Sequence, residues 1–588
     1  MSKPVSKEST WAQTWGLIGP YFWKSEQRGS ALTLAGVVLA LSVFLSYWGT
    51  RIANWFGAQT NALQSKNSAD FYQLLPEFFW IAGVFIAVAV LAFYLTEVLS
   101  IRWRRWLSKQ LLKRWLQGRA FYQLELLRNQ PQLHIPDNPD QRIQEDVQRF
   151  VMTTCSLATG AVLALATLCA FGLVLLNIDD GIDFVVAGRE VNIPGFMLWI
   201  ALLYCGLGSL VTYGLGKALK RMNFELQKRE ANFRYHMARV RDNAEAIALD
   251  RAQDVEHYQL DQKLDALLDS KFTLVKRETR LTWFTAFFSN LSMVFPYLVL
   301  AHRYFDGHIT MGALTVAVTA FASVQGALSW FINNFTTLAE WRASAQRLSE
   351  LDKALQRANQ KSALQHQNDG ADMQVQGLEL SLPTGKVLLD NFTGQIQPGS
   401  NVLIGGPSGS GKSTLLRALS GIWPFAKGRV SLPSDVMFIP QHPYFPEGRL
   451  RDALAYPLRA ELYTDAQLLE ALQQAGLPDL QARLDDVQAW HSLLSGGEKQ
   501  RLAAARVLLK QPAWVVADEA SSALDNATEA RIYEALAQMT SRNGGAVISV
   551  AHRDSVRKYH DVHWLLEPER RALRIGALST TACRTESD

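Results

Sequence analysis

The stretch Gly406-Pro407-Ser408-Gly409-Ser410-Gly411-Lys412-Ser413-Thr414 sets three glycines around two hydroxyls and ends in a lysine followed by two more hydroxyls. Those glycines let the backbone wrap closely around an anion, so that successive N–H groups converge on it. Lys412 adds a point charge for β and γ phosphates, and the Ser413 hydroxyl is a ligand for Mg²⁺. About a hundred residues on, "AWVVADEA" reads as an apolar strand ending in Asp518 and Glu519. Asp518 is placed to hold Mg²⁺ through water, and Glu519 to polarise an attacking water as general base. Together these residues suit Mg²⁺-assisted attack of water on a terminal phosphate.

Such a site needs a strand and a helix on either side of the glycines. "NVLIGG" supplies the strand and "TLLRALSGI" the helix, whose positive end faces the same anion. From Met373 onward strand-like and helical patterns alternate, as in an α/β domain. What precedes it is different. The chain has 588 residues, 48% of them hydrophobic, and the apolar ones crowd before about residue 340. Six segments, near 29–50, 78–100, 152–176, 194–216, 281–301 and 310–333, approach the ~20 apolar residues that cross a bilayer. The chain therefore reads as a membrane protein with a soluble C-terminal domain.

Basic residues set its expected orientation. "IRWRRWLSKQLLKRWLQGR" follows the second segment and "KALKRMNFELQKRE" the fourth, whereas the loop holding Asp179, Asp180, Asp183 and Glu190 has only Arg189. The basic stretches belong in the cytoplasm and the acidic loop outside, which makes both termini cytoplasmic and places the phosphate cradle where ATP is. A net charge of +5 is small and spread beside the apolar segments, which fits topology better than nucleic acid. Cys155, Cys169, Cys205 and Cys583 form no CxxC pair and read as small hydrophobes. No cleavable signal is visible at the N-terminus.

The chain divides into an N-terminal interfacial helix (1–28), a six-helix transmembrane domain with long cytoplasmic extensions (29–340), a linker (341–372), an ATP-binding domain (373–576) and a tail (577–588). Trp11, Trp15, Tyr21, Phe22 and Trp23 suggest interfacial anchoring of the first part. Gln325, Ser329, Asn333 and Thr336 recur along one helical face of and just beyond the sixth segment. That face meets either a solvated cavity or polar groups on another helix. Asn290, Pro296 and Glu97 fit the same cavity, although Glu97 also suits the membrane interface.

Between cradle and acids stands "LLSGGEKQRLAAARVLL", in which Leu494, Ser495, Gly496, Gly497, Glu498, Lys499 and Gln500 resemble the signature motif of ATP-binding cassette (ABC) proteins. That resemblance implies exporter-type architecture, with Gln441 as the Q-loop residue and Mg²⁺ ligand, Asp525 closing the D-loop and His552 as the switch histidine. It also implies that Ser495, Gly496, Gly497 and Glu498 meet the nucleotide held by another cassette. With one cassette and six segments the chain is expected to be a half-transporter working as a homodimer. One departure stands out: "LELSLPTGKVLL" has no aromatic to stack on adenine.

"DNPDQRIQEDVQRF" (137–150) and "RDNAEAIALDRAQDVE" (241–256) resemble a narrower group, that of SbmA/BacA peptide transporters, their cassette-fused bacterial relatives and peroxisomal fatty-acyl transporters. "IRWRRWL" and Trp490 fit it too. The second stretch resembles the EAA-like motif that contacts the cassette, which makes Glu245 the candidate coupling residue. The resemblance implies ATP-driven import of peptides, including antimicrobial ones, or cobalamin-like solutes across a bacterial inner membrane, with membrane lipids and the solute as partners. A lipid or fatty-acyl transporter, or a multidrug exporter, is the alternative, and it would need a greasier cavity than the polar face offers. A soluble cassette protein acting on nucleic acid conflicts with six apolar segments, and an ATP sensor without turnover conflicts with Glu519.

Overall fold

The computed structural model describes residues 10–128, 138–178, 182–186, 189–193, 195–359, 363–551 and 553–578. It separates into two compact units, one formed by residues 1–114 and 136–353, the other by residues 115–135 and 354–588.

Among the described residues six helices, lying wholly or mostly in the first unit, are long and apolar enough to cross a membrane: Arg28–Gln64, Ser68–Leu127, Pro139–Asn177, Phe196–Asp242, Gln253–Phe305 and Met311–Ala358. Each contains one of the six apolar segments. Phe196–Asp242 has 47 residues and Gln253–Phe305 has 53, where about 20 cross the hydrocarbon. These two helices pack along one another and are joined by the short helix Ala244–Leu249. The acidic loop contains a hairpin, Ile182–Val186 paired with Arg189–Ile193. Asp179 and Asp180 lie outside the described residues.

Apolar side chains from several spans meet in one core that includes Ala53, Phe171, Met197, Tyr204, Leu300 and Phe321. Tyr204 stacks on Phe288 at 4.0 Å and donates its hydroxyl to the Phe288 carbonyl. First and sixth spans approach closely at Gly57 and Gly312, where a Cβ on Gly312 would come within 2.2 Å of the Gly57 carbonyl oxygen. Only glycine lets two helix backbones come that near. The Gly312 amide also donates to Asn61 Oδ1 at 2.7 Å, which satisfies an otherwise orphan helix N-terminal N–H.

The N-terminal aromatics divide in two. Trp15 and Trp23 are exposed, but Tyr21 is buried and stacks on Trp103 at 5.7 Å. Trp103 meets Phe150 edge-on, and Phe150 stacks on Trp341. Tyr21 is thus a core residue tying the N-terminal segment to the second span, unlike its expected interfacial role. The "RIQEDV" part of the 137–150 motif has a structural explanation. Asp146 receives two bonds from Arg347, at 2.8 and 2.5 Å, while Arg142 donates to the Arg347 carbonyl.

In the second unit two sheets enclose a shared core. One has six strands in the order Ala572–Ala577, Val562–Glu567, Val402–Gly405, Val547–Val550, Trp514–Asp518, Val436–Ile439, parallel except at the first pair. Val402, Leu403, Ile404 and Val515, Val516, Ala517 are buried, as continuous apolar runs in covered parallel strands should be. The other has four strands, Leu364–Gly370, Ala426–Pro433, Met373–Ser381 and Val387–Ile396. The stretch 341–372 read as a linker therefore contains the end of helix Phe335–Ala358 and an entire strand. Leu364–Gly370 was illegible because its polar run LQHQNDG owes its strand state to pairing with Ala426–Pro433.

Candidate functional site

Strand Val402–Gly405 leads directly into the glycine-rich loop, and helix Lys412–Leu419 leaves it. Gly411 caps that helix at φ 101°, and a Cβ there would lie 2.9 Å from Leu388 Cδ1. Pro407, Ser408 and Gly409 are exposed at the loop's outer edge, whereas Ser410, Lys412 and Thr414 are buried. The Ser410 hydroxyl has no hydrogen-bond partner among the described residues. Lys412 Nζ folds back onto the loop, donating to the carbonyls of Gly406 at 2.9 Å and Pro407 at 3.1 Å. Burial pushes its pKa down, against the pull of Glu519 and Asp518.

The two acids stand at the end of strand Trp514–Asp518, two strands across the same sheet from Val402–Gly405. Ser413 Oγ donates to Asp518 Oδ1 at 3.1 Å, so hydroxyl and carboxylate from motifs 105 positions apart meet. Burial pushes the Asp518 pKa up, the Ser413 bond opposes that, and the charge of Glu519 adds to it. Glu519 adopts φ 48°, a left-handed conformation rare for a side chain of its size. Its Oε2 accepts from Gln441 Nε2 at 2.9 Å. Lys412, Ser413, Gln441, Asp518 and Glu519 thus form one linked cluster.

Serine and aspartate oxygens are hard donors suited to Mg²⁺. Among the described residues no three His, Cys, Asp or Glu side chains cluster as a metal site. A cation here would therefore take its remaining ligands from phosphate oxygens and water, as is usual for Mg²⁺.

The signature stretch begins helix Gly496–Lys510 with Ser495 as its N-cap. Ser495 and Gly496 are exposed, and Gly497 is half-buried. Glu498 closes a capping box: its amide donates to Ser495 Oγ, and its Oε2 accepts from the Ser495 amide at 2.9 Å and hydroxyl at 2.7 Å. These bonds hold the Glu498 carboxyl below its usual range. Glu498 is thereby occupied within its own helix start, a task the sequence reading had not assigned to it. Asp525 is exposed and caps helix Asn526–Arg542, accepting from the Ala527 and Thr528 amides. His552 lies outside the described residues.

Where the expected aromatic is absent, Leu388 packs beneath Gly411 and Leu382 rests against the core. Trp490 is a buried scaffold, donating to the Gly448 carbonyl at 2.8 Å with Arg483 over its ring. Helix Ala244–Leu249, which carries Glu245, is exposed apart from a half-buried Ile247. A different helix packs on the core between the two sheets. Ala120–Leu127 buries Ala120 and Leu124 and sets Leu126 against the two-sheet core, while the preceding Arg119 donates to the Ser420 carbonyl at 3.1 Å. The sequence reading passed over it. Its signal was present in "GRAFYQLELL", a glycine turn followed by a short amphipathic run.

Comparison with known proteins accords with this geometry. The family model for ABC transporter transmembrane region 2 matches residues 17–305, and that for the ABC transporter cassette matches residues 389–522. The chain is 32% identical to the Escherichia coli inner membrane ABC transporter ATP-binding protein YddA, over 94% of this chain and 97% of that protein. The chain belongs to the ABC transporter family. This ABC transporter is also 30% identical to the Arabidopsis thaliana ABC transporter D family member 2, chloroplastic, over 95% of this chain and 86% of that one. It is 30% identical to the human lysosomal cobalamin transporter ABCD4, over 79% and 80% respectively. It is a multi-pass membrane ATPase of exporter-type, half-transporter architecture, and its cassette binds ATP to drive transport.

Proposed function

We propose that this ABC transporter imports a bulky hydrophilic solute, a peptide or a cobalamin-like compound, by alternating access. It works as a homodimer in a bacterial inner membrane with both termini cytoplasmic, and belongs with the SbmA/BacA-like group. The observation that carries the solute class is the polar face of the sixth span. Gln325 and Ser329 are half-buried, Asn333 and Thr336 exposed, and none of the four side chains has a hydrogen-bond partner among the described residues. Side chains that bond no neighbouring helix are suited to a watery passage. The relative named as a cobalamin transporter supports the same class.

In the cassette, Lys412 leaves the Gly406 and Pro407 carbonyls to meet the β and γ phosphates, and the orphan Ser410 hydroxyl and the loop amides face the phosphate chain. Ser413, Gln441 and Asp518 would hold Mg²⁺, which would offset the phosphate charge. Glu519 accepts the proton of the attacking water. The exposed Ser495, with the Gly496 and Gly497 amides at a helix N-terminus, takes the γ-phosphate of the nucleotide held by the second copy. Asp525 lines that same interface, and His552 serves as the switch histidine. ATP shifts the equilibrium through its higher affinity for the closed pair. Glu245 on the exposed helix Ala244–Leu249 couples the transmembrane domain to a cassette, while Ala120–Leu127 packs on its own cassette core.

Uptake into vesicles tests the proposal. Labelled cobalamin and a labelled cationic peptide, each compared with an acyl-CoA, should accumulate with ATP and fail to do so in Lys412→Ala. ATP-dependent movement of acyl-CoA alone would transfer the reading to lipid transport.

A further inference from the structure

The turn that carries Glu519 hangs between two anchors. On one side Gln500 donates from Nε2 to Ser522 Oγ at 3.0 Å and accepts the Ala523 amide at 2.9 Å. On the other, Arg553 donates to the carbonyls of Leu524 at 2.6 Å and Ser522 at 3.1 Å. Beneath lies Glu529, 1% exposed and unused by the hydrolysis chemistry described above. Its Oε1 accepts from Ser521 Oγ at 2.6 Å and its Oε2 from Ser555 Oγ at 2.5 Å, with Arg553 Nη1 3.9 Å away. A cavity of about 100 Å³ bordered by Glu519, Ser522, Glu529 and Arg553 separates the two glutamates.

Burying a carboxylate is costly unless hydroxyls and a cation compensate it, and an apolar residue would fill the same space more cheaply. What the carboxylate adds is connection. Ser521 belongs to the turn between Glu519 and Asp525, whereas Arg553 and Ser555 lie one and three residues after His552 in sequence. Glu519 keeps its left-handed backbone only as long as its neighbours hold the turn.

We propose that Glu529 is a positioning residue for ATP hydrolysis: its buried carboxylate ties the Glu519–Asp525 turn to the segment after His552 and so fixes the aim of the base. This rests on Glu519 being that base. Glu529→Gln keeps the shape but turns one acceptor into a donor and removes the counter-charge of Arg553.

The test is steady-state ATP hydrolysis by the full-length protein in detergent or nanodiscs, for Glu529→Gln, Glu519→Gln and the double variant. Glu529→Gln should lower kcat on the order of tenfold with KM for ATP within about twofold, the signature of an interaction made in the transition state. The double variant should turn over no more slowly than Glu519→Gln alone, because without a base there is nothing left to misaim. A merely structural role would instead raise KM, lower the unfolding temperature and add to the Glu519→Gln loss. Wild-type kcat in Glu529→Gln, or additive losses, overturns the proposal. If Glu529→Gln fails to fold, Ser521→Ala and Ser555→Ala carry the same test, each expected to lower kcat without changing KM. Unchanged turnover in Glu519→Gln would refute the base assignment instead, and so separates the two failures.

Discussion

Replacing Glu519 by Gln probes the hydrolysis site with little disturbance. The side chain keeps its size, and the amide oxygen can still accept the 2.9 Å bond from Gln441 Nε2. Lys412, Ser413 and Asp518 are untouched, so the residues proposed to hold phosphate and Mg²⁺ persist. What disappears is proton acceptance, which contributes on the order of 10²–10⁴ in rate. At about 1.36 kcal/mol per decade that is roughly 3–5 kcal/mol of lost transition-state stabilisation. Phosphate release from purified Glu519→Gln should thus show kcat down by at least about a hundredfold, with KM for ATP nearly unchanged. Turnover within about tenfold of wild type, or a raised KM at full kcat, would refute the argument and send the search for the base elsewhere.

Three further outcomes are expected. Burial raises the Asp518 pKa, so the folded cassette holds that proton more tightly than the unfolded chain, and ionisation costs stability as pH rises from about 4 through the raised value. Asp518→Asn should therefore make the nucleotide-free protein at neutral pH at least as heat-stable as wild type while abolishing Mg²⁺-dependent hydrolysis; a lower unfolding temperature would contradict the burial argument. Leu124→Ala removes a buried anchor of the Ala120–Leu127 helix, a loss of about 2–5 kcal/mol for a well-packed leucine, and should leave ATP turnover in place while vesicle uptake falls. Trp490→Phe strands the Gly448 carbonyl at a cost of about 1–3 kcal/mol, visible as a lower unfolding temperature by calorimetry; no change would mean that the carbonyl finds another donor.

Residues whose work is local were legible in one dimension. The glycine loop, its lysine and the strand-ending acids carry their chemistry in type and spacing, and the six spans follow from apolar length alone. Signature residues were half legible. Ser495 starts a helix as expected, but the engagement of Glu498 in a capping box depends on rotamers that a motif does not specify. Tyr21 illustrates the opposite case: an aromatic near a membrane segment suits the interface by composition, and only the proximity of Trp103 draws it inside.

By itself the sequence determined that this chain crosses a membrane six times and ends in an ATP-binding cassette, because apolar runs and a phosphate loop are properties of short contiguous stretches. Tertiary structure alone decided that LQHQNDG is a strand, that Arg347 pairs with Asp146 and that a helix near residue 120 grips the cassette core. Each of these joins positions from about 60 to 300 apart. Pairings at such separation are set by which buried surfaces and unsatisfied polar groups fit one another, and nothing in either local stretch encodes its partner.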